Sequence, residues 1–207
     1  MRFRLLATAV TAVALATTSV GPVLADAAKP DQSMTHMKTA AGLAATLESA
    51  GVVIYVQGGA TASVIGDSIS ALNGQIVFHI PVTGTKSGVQ HQGSNIVFFN
   101  TTNNQQVQLR NPVIDLAKGV VTATIPQADN QTISVLTIGN ASGLKPKVNN
   151  DRKTKIRTSA YSGAALNLSP GVAATLASLL GLPSGSLTEG LAFGTADVSL
   201  KKKSAKR

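Results

Sequence analysis

Three histidines, two tyrosines and nine carboxylates are the side chains here that can move protons or hold metals. There is no cysteine. Thiolate metal sites, cysteine nucleophiles, disulfides and a lipid-modified cysteine are therefore excluded. His36, His79 and His91 are far apart in the chain, and none has a carboxylate within four residues. None of them is placed i, i+4 from another, so no helix face presents two imidazoles. A zinc site would need three or four ligands gathered from separate strands, and no metal is expected.

A Ser–His–Asp triad is defined by geometry rather than by spacing. The Gly-x-Ser-x-Gly elbow that signals one family of such nucleophiles is missing. Asp67, Asp115, Asp129 and Asp197 follow or interrupt β-like runs. Aspartates there serve turns better than they serve a glycosidase pair. A secreted hydrolase therefore requires His79 or His91 to meet a Ser and an Asp only in the folded chain. Gly58-Gly59 and Gly84–Gly88 read as turns, because neither leads into a helix N-terminus that would cradle phosphate. Tyr55 lies in a β-branched run, and a tyrosine with a histidine partner can hold haem iron.

The charge has its own geography. The chain of 207 residues carries 18 Lys and Arg against 9 Asp and Glu, a formal charge of +9. Arg2 and Arg4 precede an apolar stretch from Leu5 to Val20, and small residues follow at Val23-Leu24-Ala25 and Ala25-Asp26-Ala27. That order is a secretory signal peptide over 1–27, cleaved after Ala25 or Ala27. Among the remaining cations, Lys145, Lys147, Arg152, Lys153, Lys155 and Arg157 form one segment. Lys201, Lys202, Lys203, Lys206 and Arg207 form a second. Outside these segments a chain cut after Ala25 keeps five cations against eight carboxylates. The positive charge is local, and a polyanion would meet it there. Nucleic acid fits poorly, since no aromatic other than Tyr161 and no recognition motif accompanies the charge. For an exported protein the available polyanions are wall teichoic acids, anionic lipids and polysaccharides. After signal cleavage no segment reaches the ~20 apolar residues of a membrane-spanning helix.

The elements that must position these residues are mostly short strands. Residues 28–38 are expected to be a flexible lead, followed by a short Ala- and Leu-rich helix over Thr39–Ser49 that Gly51 ends. Gly51–Gln57 reads as a strand, which Ala60–Ile65 extends past a bulge. Gln75–Val82 alternates, with Ile76, Phe78 and Ile80 on one face and His79 on the other. Val89–Phe99 and Gln105–Leu109 form a hairpin, and Asn111-Pro112 breaks it. Val113–Leu116 and Val120–Ile125 form another around Ala117-Lys118-Gly119. Thr132–Ile138, Lys153–Tyr161 and Leu191–Leu200 complete the strands, with a loop over Gly139–Asp151. One helix near 170–181 follows Ser169 as N-cap and Pro170 as first residue. The pattern predicts a mainly β chain, a single antiparallel sandwich or barrel-like domain over 39–200, with a disordered basic tail at 201–207.

Several runs carry a resemblance. They are Phe78–Gly84, Gly88–Phe98, Val107–Leu116, Gly119–Ile125 and Gly194–Val198. Together they resemble a family of uncharacterised secreted bacterial β-rich proteins over about residues 40–200. More remotely, over 88–125, they are similar to HtaA-type domains of haem uptake. That likeness implies a β-rich exported module. As an alternative function it implies haem, with Tyr55 as ligand and His91 or His79 as its partner. The Trp-Gly motif of HtaA-type domains has no counterpart in a chain without Trp. Their Gly-His-x-Gly stretch corresponds to Gly93-Ser94-Asn95-Ile96, which lacks the histidine. The leading expectation is a secreted, non-catalytic envelope-associated or extracellular protein that binds or builds, without a cofactor.

Overall fold

The computed structural model describes residues 32–203. The expected signal peptide over 1–27, the start of the expected lead at 28–31, and Lys206 and Arg207 lie outside the described residues. The described chain is a mainly antiparallel β-barrel that is nearly closed, with two α-helices. The strands are β1 (Met34–Thr39), β2 (Val52–Gly58), β3 (Thr61–Ile65), β4 (Gln75–Pro81), β5 (Val89–Gln90), β6 (Ser94–Asn100) and β7 (Gln106–Asp115). They continue with β8 (Val120–Ile125), β9 (Gln131–Ile138), β10 (Lys147–Asp151), β11 (Ile156–Leu168) and β12 (Ala192–Lys203). The helices are α1 (Leu43–Ser49) and α2 (Val172–Leu179).

The strand order is β2-β6-β7-β8-β9-β11-β12-β1-β4-β3, with β5 added on β7 and β10 on β11. Hairpins build the β6-β7-β8-β9 run and the β4–β3 pair, and the β1–β12 pair joins the first and last strands of the described residues. The barrel nearly closes where β2 turns into β3. Gly58 makes that bend at φ +73, and a Cβ there would stand 1.8 Å from the Gly93 carbonyl oxygen. Only glycine fits so close a backbone approach.

Period-two alternation fills the interior. Ile76, Phe78 and Ile80 of β4 face Phe98 of β6, Leu109 of β7, Ile125 of β8 and Phe193 of β12 in one core. Burying each such side chain stabilises the fold by ~1.5–3 kcal/mol. Leu43 and Leu47 of α1 meet Leu176 of α2 around Phe98 and Phe193, so both helices plug one end.

The structure corrects several sequence expectations. The flexible lead is wrong for its last part: residues 34–38 lie in β1, hydrogen-bonded between β12 and β4, and Thr39, expected to begin the first helix, ends that strand. The disordered tail is wrong for Lys201–Lys203, which extend β12 opposite Ile156–Thr158. Both segments are held by partner strands and not by their own propensity. Lys147–Asp151, read as loop, is β10 on the edge of β11. The strand over 89–99 is interrupted at His91-Gln92-Gly93. Asn111-Pro112 does not end a strand; β7 runs through it with a bulge, where Asn111 takes φ +50. Pro112 has no N–H for the ladder, and a bulge is where proline is tolerated.

α2 starts after Gly171 rather than at Pro170, and Ser169 makes no cap bond to it. The cap comes from a distance. The Glu189 carboxylate accepts from the N–H groups of Gly171 at 2.9 Å and Ala174 at 3.2 Å. It satisfies two orphan donors and sits at the positive end of the helix dipole. Glu189→Ala is expected to lower stability by about 1 kcal/mol in urea unfolding, with an unchanged fold. At the other end Asn100 and Asn103 donate to the Leu180 carbonyl, at 2.8 Å and 2.9 Å.

Candidate functional site

The most one-sided feature is built by the C-terminal half of the sheet. β11 and β12 are the longest of the described strands; their Ile156–Ser159 and Leu200–Lys203 ends pair with each other, and β10 pairs with the other edge of β11. Arg157 lies directly between Asn150 and Lys202 in the register. The pairing thus unites the two basic segments that stand apart in the sequence. Lys145, Lys147, Arg152, Lys153, Lys155 and Arg157 join Lys201, Lys202 and Lys203 on one flange. β10 is exposed along its whole length.

Among the described residues the flange holds one carboxylate, and its own turn uses it. Asp151 accepts from the Thr154 hydroxyl at 2.6 Å and from the backbone N–H of Lys153 at 2.8 Å. These bonds, the hydroxyl first, hold its pKa below the usual carboxylate value. Lys155 closes the turn at φ +56. Among the described residues neither Arg157 nor Lys202 has a carboxylate within ion-pair distance, whereas Lys118 pairs with Asp115 at 3.4 Å. Arg157, Lys201 and Lys202 line an open cleft of about 390 Å³ with the hydroxyls of Ser33, Thr85 and Ser159. Ser33 also accepts from the Lys201 N–H at 2.8 Å, which ties the entry of β1 to the flange.

The haem candidates are not assembled. His91 is 1% exposed, inside the barrel. Its Nδ1 lies 2.9 Å from the Pro112 carbonyl and its Nε2 2.8 Å from the Thr35 hydroxyl. A carbonyl only accepts, so Nδ1 carries the proton and Nε2 accepts from Thr35. Burial pushes the His91 pKa down, against a smaller opposing effect of the Pro112 carbonyl. Both ring nitrogens are committed to the protein. The enclosed space beside it is about 30 Å³, room for a water molecule and far below the ~300 Å³ at which small-molecule sites begin. Tyr55 faces outward on β2, its hydroxyl 3.4 Å from Gln106 Oε1. His79 lies on the outer face of β4, as its alternation predicts, and its nitrogens bond elsewhere.

Those bonds form a cluster that no spacing in the sequence shows. His79 stands opposite His36 on β1, which stands opposite Asp197 on β12. The two Nδ1 atoms are 2.8 Å apart, and Ser63 Oγ of β3 is 3.1 Å from His79 Nε2. The His36 pKa is lowered by partial burial first and by His79 second, while Asp197 opposes both. Asp197 Oδ1 accepts from the Gly163 N–H at 2.7 Å, at the bulge of β11. The Ser and His of a hydrolase therefore meet, but a second imidazole stands where a triad has its carboxylate. Ser63 is exposed on an edge strand that is exposed along its length. Oxyanion chemistry needs a sheltered set of donors, and this strand shelters nothing. Among the described residues no three His, Asp or Glu side chains converge as metal ligands, and no helix is long and apolar enough to cross a membrane.

Comparison with protein-family models, curated proteins and solved structures gives no match to this chain.

Proposed function

We propose that this protein is an exported, non-catalytic binding module of a bacterial envelope. Its β10–β11–β12 flange contacts an anionic wall polymer or another extracellular polyanion. The carrying observation is that, among the described residues, nine Lys and Arg share the flange with one carboxylate, Asp151, whose oxygens are already taken. The rest of the mature chain is slightly acidic. A polyanion would be drawn to one side of the molecule and repelled by the others. The cleft beside Arg157 adds hydroxyl donors, which suit phosphate or carboxylate oxygens. The signal peptide supports a location where such polymers are met.

Co-sedimentation of the mature chain with purified bacterial cell wall tests this. Retention is expected at ~20 mM salt, with release by ~0.5 M salt as the Debye length shrinks. Walls stripped of phosphate polymers should retain less protein. No retention at low salt on walls carrying those polymers would overturn the proposal.

A further inference from the structure

We propose that His36 and His79 form a surface binding site for a divalent transition-metal ion, with Cu(II) the best match. The two histidines are 43 positions apart, yet the β1–β4 register sets them directly opposite each other. Their rings meet edge-on at 80°, with the two Nδ1 atoms 2.8 Å apart. Without metal, one Nδ1–H donates to the other Nδ1. A metal ion takes the place of that hydrogen: the ring that carried it on Nδ1 gives it up and takes a proton on Nε2, so both rings stay neutral and both Nδ1 lone pairs turn to the ion as the rings pivot.

The spacing suits a particular geometry. With metal–nitrogen bonds of about 2.0 Å, two nitrogens held at a right angle stand about 2.8 Å apart, whereas a tetrahedral angle sets them about 3.3 Å apart. The observed separation therefore fits tetragonal coordination, the preference of Cu(II) and Ni(II), and Cu(II) binds nitrogen ligands more tightly.

Two further contacts prepare the pair. His79 Nε2–H donates to Ser63 Oγ, 3.1 Å away, which leaves the His79 Nδ1 lone pair free for the ion. The Asp197 charge acts on His36 and offsets part of an incoming positive charge. His36 is exposed and His79 half-buried, so an ion reaches them without opening the barrel. Water completes the coordination. The site is on β1 and β4, away from β10, and does not depend on the polyanion reading.

The test is a CuCl₂ titration of the untagged mature chain at about pH 7.5, where free imidazole is mostly neutral. Electron paramagnetic resonance should show one tetragonal Cu(II) per chain with two imidazole nitrogens. His36→Gln and His79→Gln should each weaken binding at least about tenfold and remove one nitrogen from the spectrum. Ser63→Ala should weaken it only a few-fold. Amide resonances of the unmodified chain give a second reading. Paramagnetic broadening should appear first around residues 36 and 79, a result that does not depend on any variant folding. Broadening centred on the amino terminus, or a spectrum unchanged in both glutamine variants, would overturn the site.

Discussion

His91→Leu is expected to lower the folding free energy by about 2–3 kcal/mol and to flatten the loss of stability in acid. The substitution keeps an apolar volume at one of the least exposed positions in the barrel. It removes both ring hydrogen bonds. The Pro112 carbonyl keeps a partner, because the His91 backbone N–H also donates to it at 3.1 Å. Thr35 Oγ1 does not, and it is 1% exposed. An orphaned buried hydroxyl costs about 1–3 kcal/mol, and the lost bond to Pro112 adds about 1 kcal/mol. The pH dependence has a definite sign. The folded pKa of His91 lies below its unfolded value of about 6.5. The unfolded chain therefore binds the extra proton first. Stability is complete above about pH 6.5 and falls as pH drops below it, toward the folded pKa. Urea unfolding at a series of pH values should show that fall in the unmodified chain. His91→Leu should reduce it, with the remainder coming from His36 and other groups. A variant as stable as the original, with the same acid slope, would remove His91 from its structural role.

The fold class was legible because the barrel walls follow simple alternation. Ile76, Phe78 and Ile80 announce β4, and Val120–Ile125 announces β8. What escaped depends on pairing over long distances. Met34–Thr39 becomes a strand because β12 and β4 supply partners on both sides. Lys201–Lys203 are poor strand formers that Ile156–Thr158 holds in register. The α2 cap arrives from Glu189, 18 positions on. The site followed the same rule. Both basic segments were visible as charge runs, but their union on one flange rests on the Arg157–Lys202 pairing. The His36–His79 contact rests on β1, which the polar lead concealed.

Replacing Lys147, Lys153, Arg157 and Lys202 together by Gln is expected to weaken polyanion binding about a thousandfold at low salt. Each basic residue near an anionic surface contributes about 1 kcal/mol. Four of them give about 4 kcal/mol, close to three decades in Kd. All four side chains are exposed. Exposed substitutions away from caps and cores change stability by no more than about 0.5 kcal/mol each. The variant should therefore keep its far-ultraviolet spectrum and stay close to the unmodified chain in stability. The same substitutions should leave Cu(II) binding at His36 and His79 unchanged. A variant of Lys38, Lys86 and Lys118, three cations outside the flange, should bind nearly as well as the unmodified chain.

The most direct measurement is the salt dependence of binding to a soluble phosphate polymer, for the mature chain and the flange variant side by side. Each cation that displaces a counterion from such a polymer adds somewhat less than one to the slope of log K against log salt. The account predicts a steep negative slope for the mature chain, about three to four smaller in magnitude for the flange variant. Equal slopes for the two proteins, or binding that salt does not weaken, would contradict it.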